Sequence, residues 1–268
     1  MSIPARRAPS PQRVNPAPVI AIASGKGGVG KTWFSTTLAC TWGRQNRRTL
    51  LVDGDLGLAN VDVQLGIRPK SDLSAVLRGW IDLEAAVTPV NGGPSKQGGF
   101  DLLPGHSGSG ALANVSMEDV AGIVAGLATL AFHYDRVILD LAAGVDAQTI
   151  RLAGSADRVV VVTTEEPTAL TDAYAFIKVL RLHRPEATPS IVVNMADKRL
   201  TGRRIYDQLA KACETYLGVR PPLAGIIVRD AAVPDCIRAQ TPLTIRNPGA
   251  PALDDVIRIA EQIAIDPA

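Results

Sequence analysis

The stretch Gly25-Lys26-Gly27-Gly28-Val29-Gly30-Lys31-Thr32 decides the fold of this chain. It fits the pattern G-x-x-x-x-G-K-[ST], and it stands between an apolar run ending at Ala23 and an amphipathic stretch over residues 31–46. A glycine-rich turn between a strand and a helix lets backbone N–H groups point at phosphate oxygens. The helix that follows adds the positive end of its dipole. Residues 25–32 are therefore predicted to bind the phosphates of a nucleotide.

Three side chains of this loop carry separate predictions. Lys31 supplies a point charge for the β- and γ-phosphates, and the hydroxyl of Thr32 can ligate Mg²⁺. Lys26 is a second lysine, whereas one lysine is enough to hold the phosphates. It is either an ordinary solvated lysine or a cation that reaches the nucleotide of a second subunit, where such a charge accelerates phosphoryl transfer.

From Val19 onward, short apolar runs alternate with longer amphipathic stretches, which is typical of an α/β domain. Continuous apolar runs such as Val159–Val162 indicate strands buried on both faces, as in a parallel sheet. The predicted strands are Val19–Ala23, Thr49–Asp53, Phe100–Leu103, Arg136–Leu141, Arg158–Thr163, Ser190–Met195 and Leu223–Val228. The predicted helices cover residues 31–46, 72–79, 117–132, 146–153, 168–183, 200–217 and 251–264. The fold class predicted is a three-layer α/β P-loop NTPase fold with a mainly parallel central sheet flanked by helices.

Acidic residues stand at the ends of two of the predicted strands. Asp53 and Asp55 leave the second strand at i, i+2 and therefore point to the same side. Near a phosphate-bound Mg²⁺, one of these carboxylates would help to hold the metal shell and the other would orient or deprotonate the attacking water. Asp53 is the candidate for the metal and Asp55 is the candidate for the water. Asp140 ends a buried apolar run, where a carboxylate needs a partner, and a water on Mg²⁺ would supply one. The alternative for each of the three is a cap or turn residue.

Asn194 lies near the end of the predicted strand Ser190–Met195, and Asp230 follows the predicted strand Leu223–Val228. Ligands of open α/β sheets bind beyond the carboxyl ends of the strands, so both residues are candidates for contacting the base of the nucleotide. An Asn at a strand end is also a common turn residue.

The composition limits the other possibilities. With 268 residues, 46% of them hydrophobic and 20% charged, the chain can bury a core of ordinary size. A net charge of +2 and an aromatic content of 4% argue against a strong nucleic-acid footprint and a base-stacking platform. The three cysteines are scattered and form no disulfide framework, which favours a reduced, cytoplasmic compartment. They form no CxxC pair, which disfavours a metal-cluster carrier. Residues 1–17, rich in proline and arginine, are predicted to be a flexible tail, and residues 18–268 one domain.

The sequence also resembles a known family. The extra lysine of the loop is the mark of the deviant Walker A motif of the MinD/ParA ATPases. Within that family the chain most resembles the flagellar number regulators of the FlhG (FleN) branch. The segments that carry the resemblance are Lys26–Thr32, Val52–Asp62, Leu103–Gly108, Asp140–Gly144, Thr163–Tyr174 and Val193–Met195.

The resemblance implies ATP and Mg²⁺ as cofactors and a homodimer that forms with ATP. It implies that Lys26 acts across the dimer interface, that Asp55 orients or activates water, and that Asp140 lies on the magnesium side. Hydrolysis is expected to be slow and stimulated by a partner. Flagellar partners are expected, such as an FlhF-like GTPase, basal-body C-ring proteins or a flagellar transcription regulator, with recruitment to the cell pole or the inner membrane face.

Both ends of the chain depart from the family pattern. In place of a basic membrane-binding helix, residues 250–268 carry more acids than bases and an apolar stripe, which predicts a core helix and disfavours direct membrane binding. The tail over residues 1–17 lacks the recognisable FlhF-activator segment. A ParA-type ATPase that positions chromosome, plasmid or other cargo on DNA stays an alternative. Its candidate basic surface comprises Arg181, Arg184, Lys198, Arg199, Arg203 and Arg204.

Overall fold

The computed structural model describes residues 13–105 and 115–264. In this part of the chain, eight strands form one sheet in the order β3-β4-β2-β5-β1-β6-β7-β8. All neighbouring strands are parallel except β3, which pairs antiparallel with β4 at the edge. The strands are β1 (Val19–Ser24), β2 (Thr49–Gly54), β3 (Thr88–Val90), β4 (Phe100–Leu103), β5 (Arg136–Ala143), β6 (Arg158–Thr163), β7 (Ser190–Ala196) and β8 (Leu223–Val228).

Helices cover both faces of the sheet, so the predicted fold class is confirmed. The helices are α1 (Lys31–Arg44), α2 (Val61–Leu65), α3 (Leu73–Leu77), α4 (Met117–Leu130), α5 (Ala147–Ser155), α6 (Pro167–His183), α7 (Arg199–Leu217), α8 (Ala232–Arg238), α9 (Leu243–Arg246) and α10 (Pro251–Ala264). Short 3₁₀ turns lie at Leu83–Ala86 and Ala131–His133.

The strands are buried on both faces, as the continuous apolar runs indicate. Alternate residues of a strand point to opposite sides, so Ala21 and Ile22 belong to two separate apolar clusters. One cluster includes the inner faces of α4 to α7, and the other includes those of α1 and α10. The central strands β1 and β5 are thereby fixed, and the loops at their carboxyl ends leave from a rigid edge.

The last helix belongs to the core, as the apolar stripe predicted. Its residues Leu253, Val256, Ala260 and Ile263 are buried in the cluster that contains α1. Asp255 is buried as well, and its carboxylate accepts hydrogen bonds from Arg199, Arg258 and the backbone N–H of Val228. Among residues 13–105 and 115–264, no helix is long and apolar enough to cross a membrane.

The start of the described chain lies along the Ala131–His133 turn. Arg13 N–H donates to Phe132 O at 2.9 Å, and Ala17 N–H donates to Ala131 O at 3.0 Å. The Arg13 guanidinium also donates to Tyr134 O at 3.1 Å. Residues 1–12 of the predicted tail, and residues 106–108 of the resembling segment Leu103–Gly108, lie outside the described residues. The tail and domain boundaries stay predictions.

The structure adds elements that the sequence did not indicate. Strand β3 is only three residues long and contains Pro89, a residue that central strands avoid because it lacks a backbone donor. As an edge strand, β3 tolerates that proline. Helices α2, α8 and α9 have seven residues or fewer, too few for a helical period to be recognised.

Candidate nucleotide site

The phosphate loop leaves β1 and enters α1 at the edge where β1, β2 and β5 end. Gly30 is the N-cap of α1 with a φ of 86°, a conformation that favours glycine. Since Gly30 has no side chain, it leaves the N–H groups of the first helical turn free of a side-chain cap. Lys31 and Thr32 stand in that first turn. The result is the concave set of N–H groups, with a lysine beside it, that binds anions.

Asp140 lies beneath the start of α1 with both carboxylate oxygens engaged. Thr32 Oγ1 donates to Asp140 Oδ2 at 2.7 Å, and Ser35 Oγ donates to Asp140 Oδ1 at 2.9 Å. Burial raises the pKa of Asp140 above its usual range, while Lys31 and the two hydroxyls lower it. A buried carboxylate that stays ionised favours a cation close to its free lone pairs.

Asp53 is the neighbour of Asp140 in the sheet register, on β2. It is 1% exposed, and burial together with the charge of Asp140 raises its pKa to about 7. Its Oδ2 accepts backbone hydrogen bonds from Asn60 and Val61, both at 3.0 Å, and its Oδ1 accepts one from Asp55 at 3.2 Å. The carboxylate is thus turned toward backbone amides.

Asp55 lies at the open side of the same edge. Its Oδ1 accepts hydrogen bonds from the backbone N–H of Gly57 at 3.2 Å and of Leu58 at 2.8 Å, which hold it in a turn. Its charge raises the pKa of both Asp140 and Asp53, as expected when three carboxylates share one region. Asp55 is only partly buried, so it can face a water at the phosphates.

The oxygen donors at this edge fit Mg²⁺ in the presence of a nucleotide. Among residues 13–105 and 115–264, no group of three or more acidic, His or Cys side chains is arranged to hold a metal on its own. Mg²⁺ keeps several waters and takes substrate phosphates as ligands, so it does not need such a cage. Thr32 would be its direct ligand, and Asp140 would hold it through water. When bound, the ion would neutralise phosphate charge.

Lys26 points away from this carboxylate group, to the start of α6. Its Nζ lies 2.5 Å from Glu166 Oε2 and 2.8 Å from Thr168 Oγ1. The ion pair lowers the pKa of Glu166. The loop and α6 also touch through backbone, since a Cβ added at Gly25 would lie 2.0 Å from the carbonyl oxygen of Asp172. The second lysine of the loop is therefore paired within its own chain, at the rim of the site.

The structure gives Asn194 a contact with the loop itself. Its Nδ2 donates to Val29 O at 2.8 Å, and a Cβ added at Gly30 would lie 2.4 Å from that nitrogen. Asn194 is 2% exposed. Asn194 therefore braces the backbone of the phosphate loop at Val29.

Asp230 uses its two oxygens on backbone amides. Oδ1 accepts from Ala232 N–H at 2.9 Å, and Oδ2 accepts from Ala252 N–H at 3.1 Å. These bonds join the start of α8 to the start of α10. A role of Asp230 or Asn194 toward the base of a nucleotide stays a prediction.

Comparison with known proteins agrees with this geometry. Residues 20–243 match the family described as the CobQ/CobB/MinD/ParA nucleotide binding domain. The chain belongs to the MinD/ParA family. The resemblance predicted from the deviant loop is confirmed.

Two characterised relatives and one solved structure illustrate the similarity. The chain is 35% identical over 227 residues to the antiactivator FleN of Pseudomonas aeruginosa, which is 85% of this chain and 79% of that protein. It is 34% identical over 205 residues to the flagellum site-determining protein YlxH of Helicobacter pylori, covering 74% of this chain and 65% of that protein. MinD of Pyrococcus horikoshii, complexed with Mg-ADP, superposes with a TM-score of 0.76 at 23% identity, covering 92% of this chain and 96% of that one, which shows the fold.

Three contacts of this MinD/ParA site were not predicted from the sequence. Ser35 binds Asp140, and Glu166 and Thr168 bind Lys26. Ser35 lies four residues after Lys31 on α1, so helical spacing could have placed it on the face that meets β5. The two partners of Lys26 are about half the chain away, and no local pattern links them to the loop.

We expect Asn194→Ala to weaken binding of ATP and of inorganic pyrophosphate together, each by roughly tenfold, because a buried carbonyl of the loop loses its donor. Isothermal titration with both ligands measures this. An unchanged pyrophosphate affinity beside a weakened ATP affinity would contradict the bracing role and favour a contact with the base.

Proposed function

We propose that this protein is an ATP-driven dimerisation switch that regulates the number or placement of bacterial flagella. It binds ATP with Mg²⁺ and hydrolyses ATP slowly to ADP and phosphate. The observation that carries the flagellar part is the similarity to YlxH, named as a flagellum site-determining protein, and to the antiactivator FleN. The ATPase part is supported by the family and by the arrangement of Lys31, Thr32 and Asp140.

The pairing of Lys26 supports the dimer. A lysine held by Glu166, whose side chain is 66% exposed, lies in a solvent-screened ion pair that costs little to break. Two nucleotides that face each other bring phosphate charges of the same sign close together. A cation from the opposite chain relieves this repulsion where water is largely excluded. On dimerisation, Lys26 would leave Glu166 and pair with the phosphates of the nucleotide on the opposite chain.

Exposed apolar side chains at the same edge also support a facing copy. Leu58 follows β2 and is 79% exposed, and Val145 follows β5 and is 43% exposed. Leu200, at the start of α7, is 64% exposed. A second copy that faces the nucleotide would remove these side chains from water, which favours association.

Each residue of the site has a separate role in ATP hydrolysis. The loop amides and Lys31 bind the phosphates, and Thr32, with Asp140 acting through water, would hold Mg²⁺. Asp55 orients the attacking water and accepts its proton. Lys26 of the opposite chain stabilises the charge that develops on the phosphates, so hydrolysis requires the dimer. Release of phosphate removes the reason for association, and the two chains separate.

Flagellar partners would bind the dimer in preference to the single chain. The partner classes we propose are an FlhF-like GTPase, basal-body C-ring proteins or a flagellar transcription regulator. The protein would act in the cytoplasm and reach the cell pole or the inner membrane face through such a partner. The acidic, core-packed α10 is not itself suited to bind an anionic membrane, so recruitment through a partner is the route we propose.

The described structure does not favour the DNA-positioning alternative. One of its candidate basic residues, Arg199, is bound to the buried carboxylate of Asp255, whereas the ion pairs of Arg184 with Glu186 and of Arg203 with Asp207 are exposed and weak. Charges already neutralised by acids contribute less to phosphate binding.

Deletion of the gene in its host tests the function. We expect the number or position of flagella, counted by electron microscopy, to change and to be restored by the wild-type gene and not by Lys31→Ala. A pulldown with and without ATP would then recover flagellar proteins. Unchanged flagella together with ATP-dependent, salt-sensitive DNA binding would contradict the proposal and support the DNA-based alternative.

A further inference from the structure

The loop between β2 and α2 is closed by one buried carboxylate. Asp53 stands at its start and accepts backbone hydrogen bonds from Asn60 and Val61 at its far end, both at 3.0 Å. The same carboxylate accepts the N–H of Asp55, within the loop, at 3.2 Å. One side chain thereby ties the first and last residues of the loop to the end of β2.

Burial of the Asp53 carboxylate costs free energy. A carboxylate that is 1% exposed, with another carboxylate beside it on β5, is costly unless donors surround it. The backbone hydrogen bonds of Val61 and Asp55 favour its ionised form. These hydrogen bonds reduce the cost of burial only while the loop keeps the shape that brings its amides to Asp53.

A second contact presses the loop against Asp53. Gly105 follows β4, and a Cβ added there would lie 2.5 Å from the Cβ of Ala59 and 3.1 Å from the carbonyl oxygen of Asp53. Ala59 is itself buried in the loop. The loop is held between Gly105 on one side and the Asp53 carboxylate on the other.

We propose that Asp53 is a positioning residue, which closes the loop over residues 55–60 and so sets the place of the Asp55 carboxylate. The inference rests on the proposed function, in which Asp55 acts on the attacking water. It departs from the expectation that Asp53 belongs to the metal shell, because the Asp53 carboxylate accepts hydrogen bonds from the backbone N–H groups of Asp55, Asn60 and Val61. Misplacement of a catalytic group by about 1 Å costs roughly 100-fold in rate.

Asp53→Asn is the first variant to test. An amide has one acceptor oxygen and places an NH₂ group against backbone donors, so one end of the loop is released. We expect exchange of the Asn60 and Val61 amides in the nucleotide-free protein to rise by at least roughly tenfold, measured by hydrogen–deuterium exchange. The kcat of ATP hydrolysis should fall about 10- to 100-fold, while the affinity for ATP and the Mg²⁺ concentration for half-maximal rate stay as in wild type.

Asp72→Asn is the matched control. The Asp72 carboxylate also accepts backbone hydrogen bonds, from Ser74 and Ala75 at the start of α3, but outside the loop that carries Asp55. We expect Asp72→Asn to lose about as much thermal stability as Asp53→Asn does, with kcat unchanged. A loss of kcat in Asp53→Asn alone therefore cannot be a general effect of weakened folding.

Gly105→Ala tests the same loop without altering Asp53. Its new methyl group should displace Ala59, accelerate amide exchange in the loop and lower kcat with ATP affinity unchanged. Adding Ala59→Gly restores the space, and we expect kcat to recover at least in part. Failure of this rescue would count against loop placement as the cause.

The inference is overturned if amide exchange at Asn60 and Val61 in Asp53→Asn equals that of wild type. It is also overturned if the Mg²⁺ requirement rises while exchange is unchanged, which is the result of a metal role. The inference about Asp53 and the proposed function can fail separately in these measurements. Loss of hydrolysis in Asp55→Ala with normal turnover in Asp53→Asn would remove the inference alone. A wild-type protein without ATPase activity would remove the proposed function, while exchange still tests loop closure.

Discussion

Lys31→Ala is expected to abolish detectable nucleotide binding. The loop amides remain in this variant, but the β- and γ-phosphates lose their cation within the chain. The charge that faces Asp140 is also removed, so a buried carboxylate is left with less compensation just where the phosphates arrive. We expect the affinity for ATP and ADP, measured by isothermal titration, to fall by roughly 100-fold or more.

Lys96→Ala is the matched control, because Lys96 lies on the exposed turn before β4. It should bind ATP as wild type does. Wild-type affinity in Lys31→Ala would contradict the phosphate-loop assignment, and with it the site as a whole.

Asp55→Ala is expected to bind ATP normally and to lose hydrolysis. The carboxylate acts only when water attacks, so its removal affects the transition state and leaves ground-state binding unchanged. A positioned base contributes about 10²- to 10⁴-fold, and phosphate release should fall by that range. ATP-bound dimers should accumulate, which sedimentation velocity would detect as a shift from one chain to two.

Asp82→Ala provides the comparison for Asp55→Ala, since Asp82 is an exposed carboxylate before the Leu83–Ala86 turn. Its turnover should equal that of wild type. Unchanged phosphate release in Asp55→Ala would show that another group handles the water.

Most of the fold could be predicted from the sequence because its signals are local. The strands of a parallel sheet are continuous apolar runs, and the bounds predicted for β4, β6 and β8 are those observed. The phosphate loop was predicted for the same reason, since a strand, glycines and a helix follow one another directly. The edge strand β3 lacks such a signal, because three residues that include Pro89 carry no period.

The site was predicted less completely, because its finer contacts join distant parts of the chain. Lys26 was recognised as unusual, but its pairing with Glu166 depends on how α6 packs against the loop. Asp53 and Asp55 look alike in sequence, two carboxylates at i, i+2. Only the path of the following loop distinguishes them, since it returns its amides to Asp53 and leaves Asp55 at the open edge.

In the proposed dimer, each ATP site is completed by Lys26 of the opposite chain. Lys26→Ala should still bind ATP through Lys31, Thr32 and the loop amides, but it should neither dimerise stably nor hydrolyse ATP. The same result would follow if Lys26 acted within its own chain, so this variant alone does not decide the matter.

A mixture of Lys26→Ala and Asp55→Ala chains decides it. In a mixed dimer, the nucleotide on the Lys26→Ala chain has its own Asp55 intact and faces the intact Lys26 of the other chain. That one site should be active, and the other should be inactive. Sedimentation shows whether mixed dimers form, and phosphate release measures their activity. We predict partial recovery of hydrolysis in a mixture of two inactive variants, whereas mixed dimers that form and stay inactive would contradict the shared site.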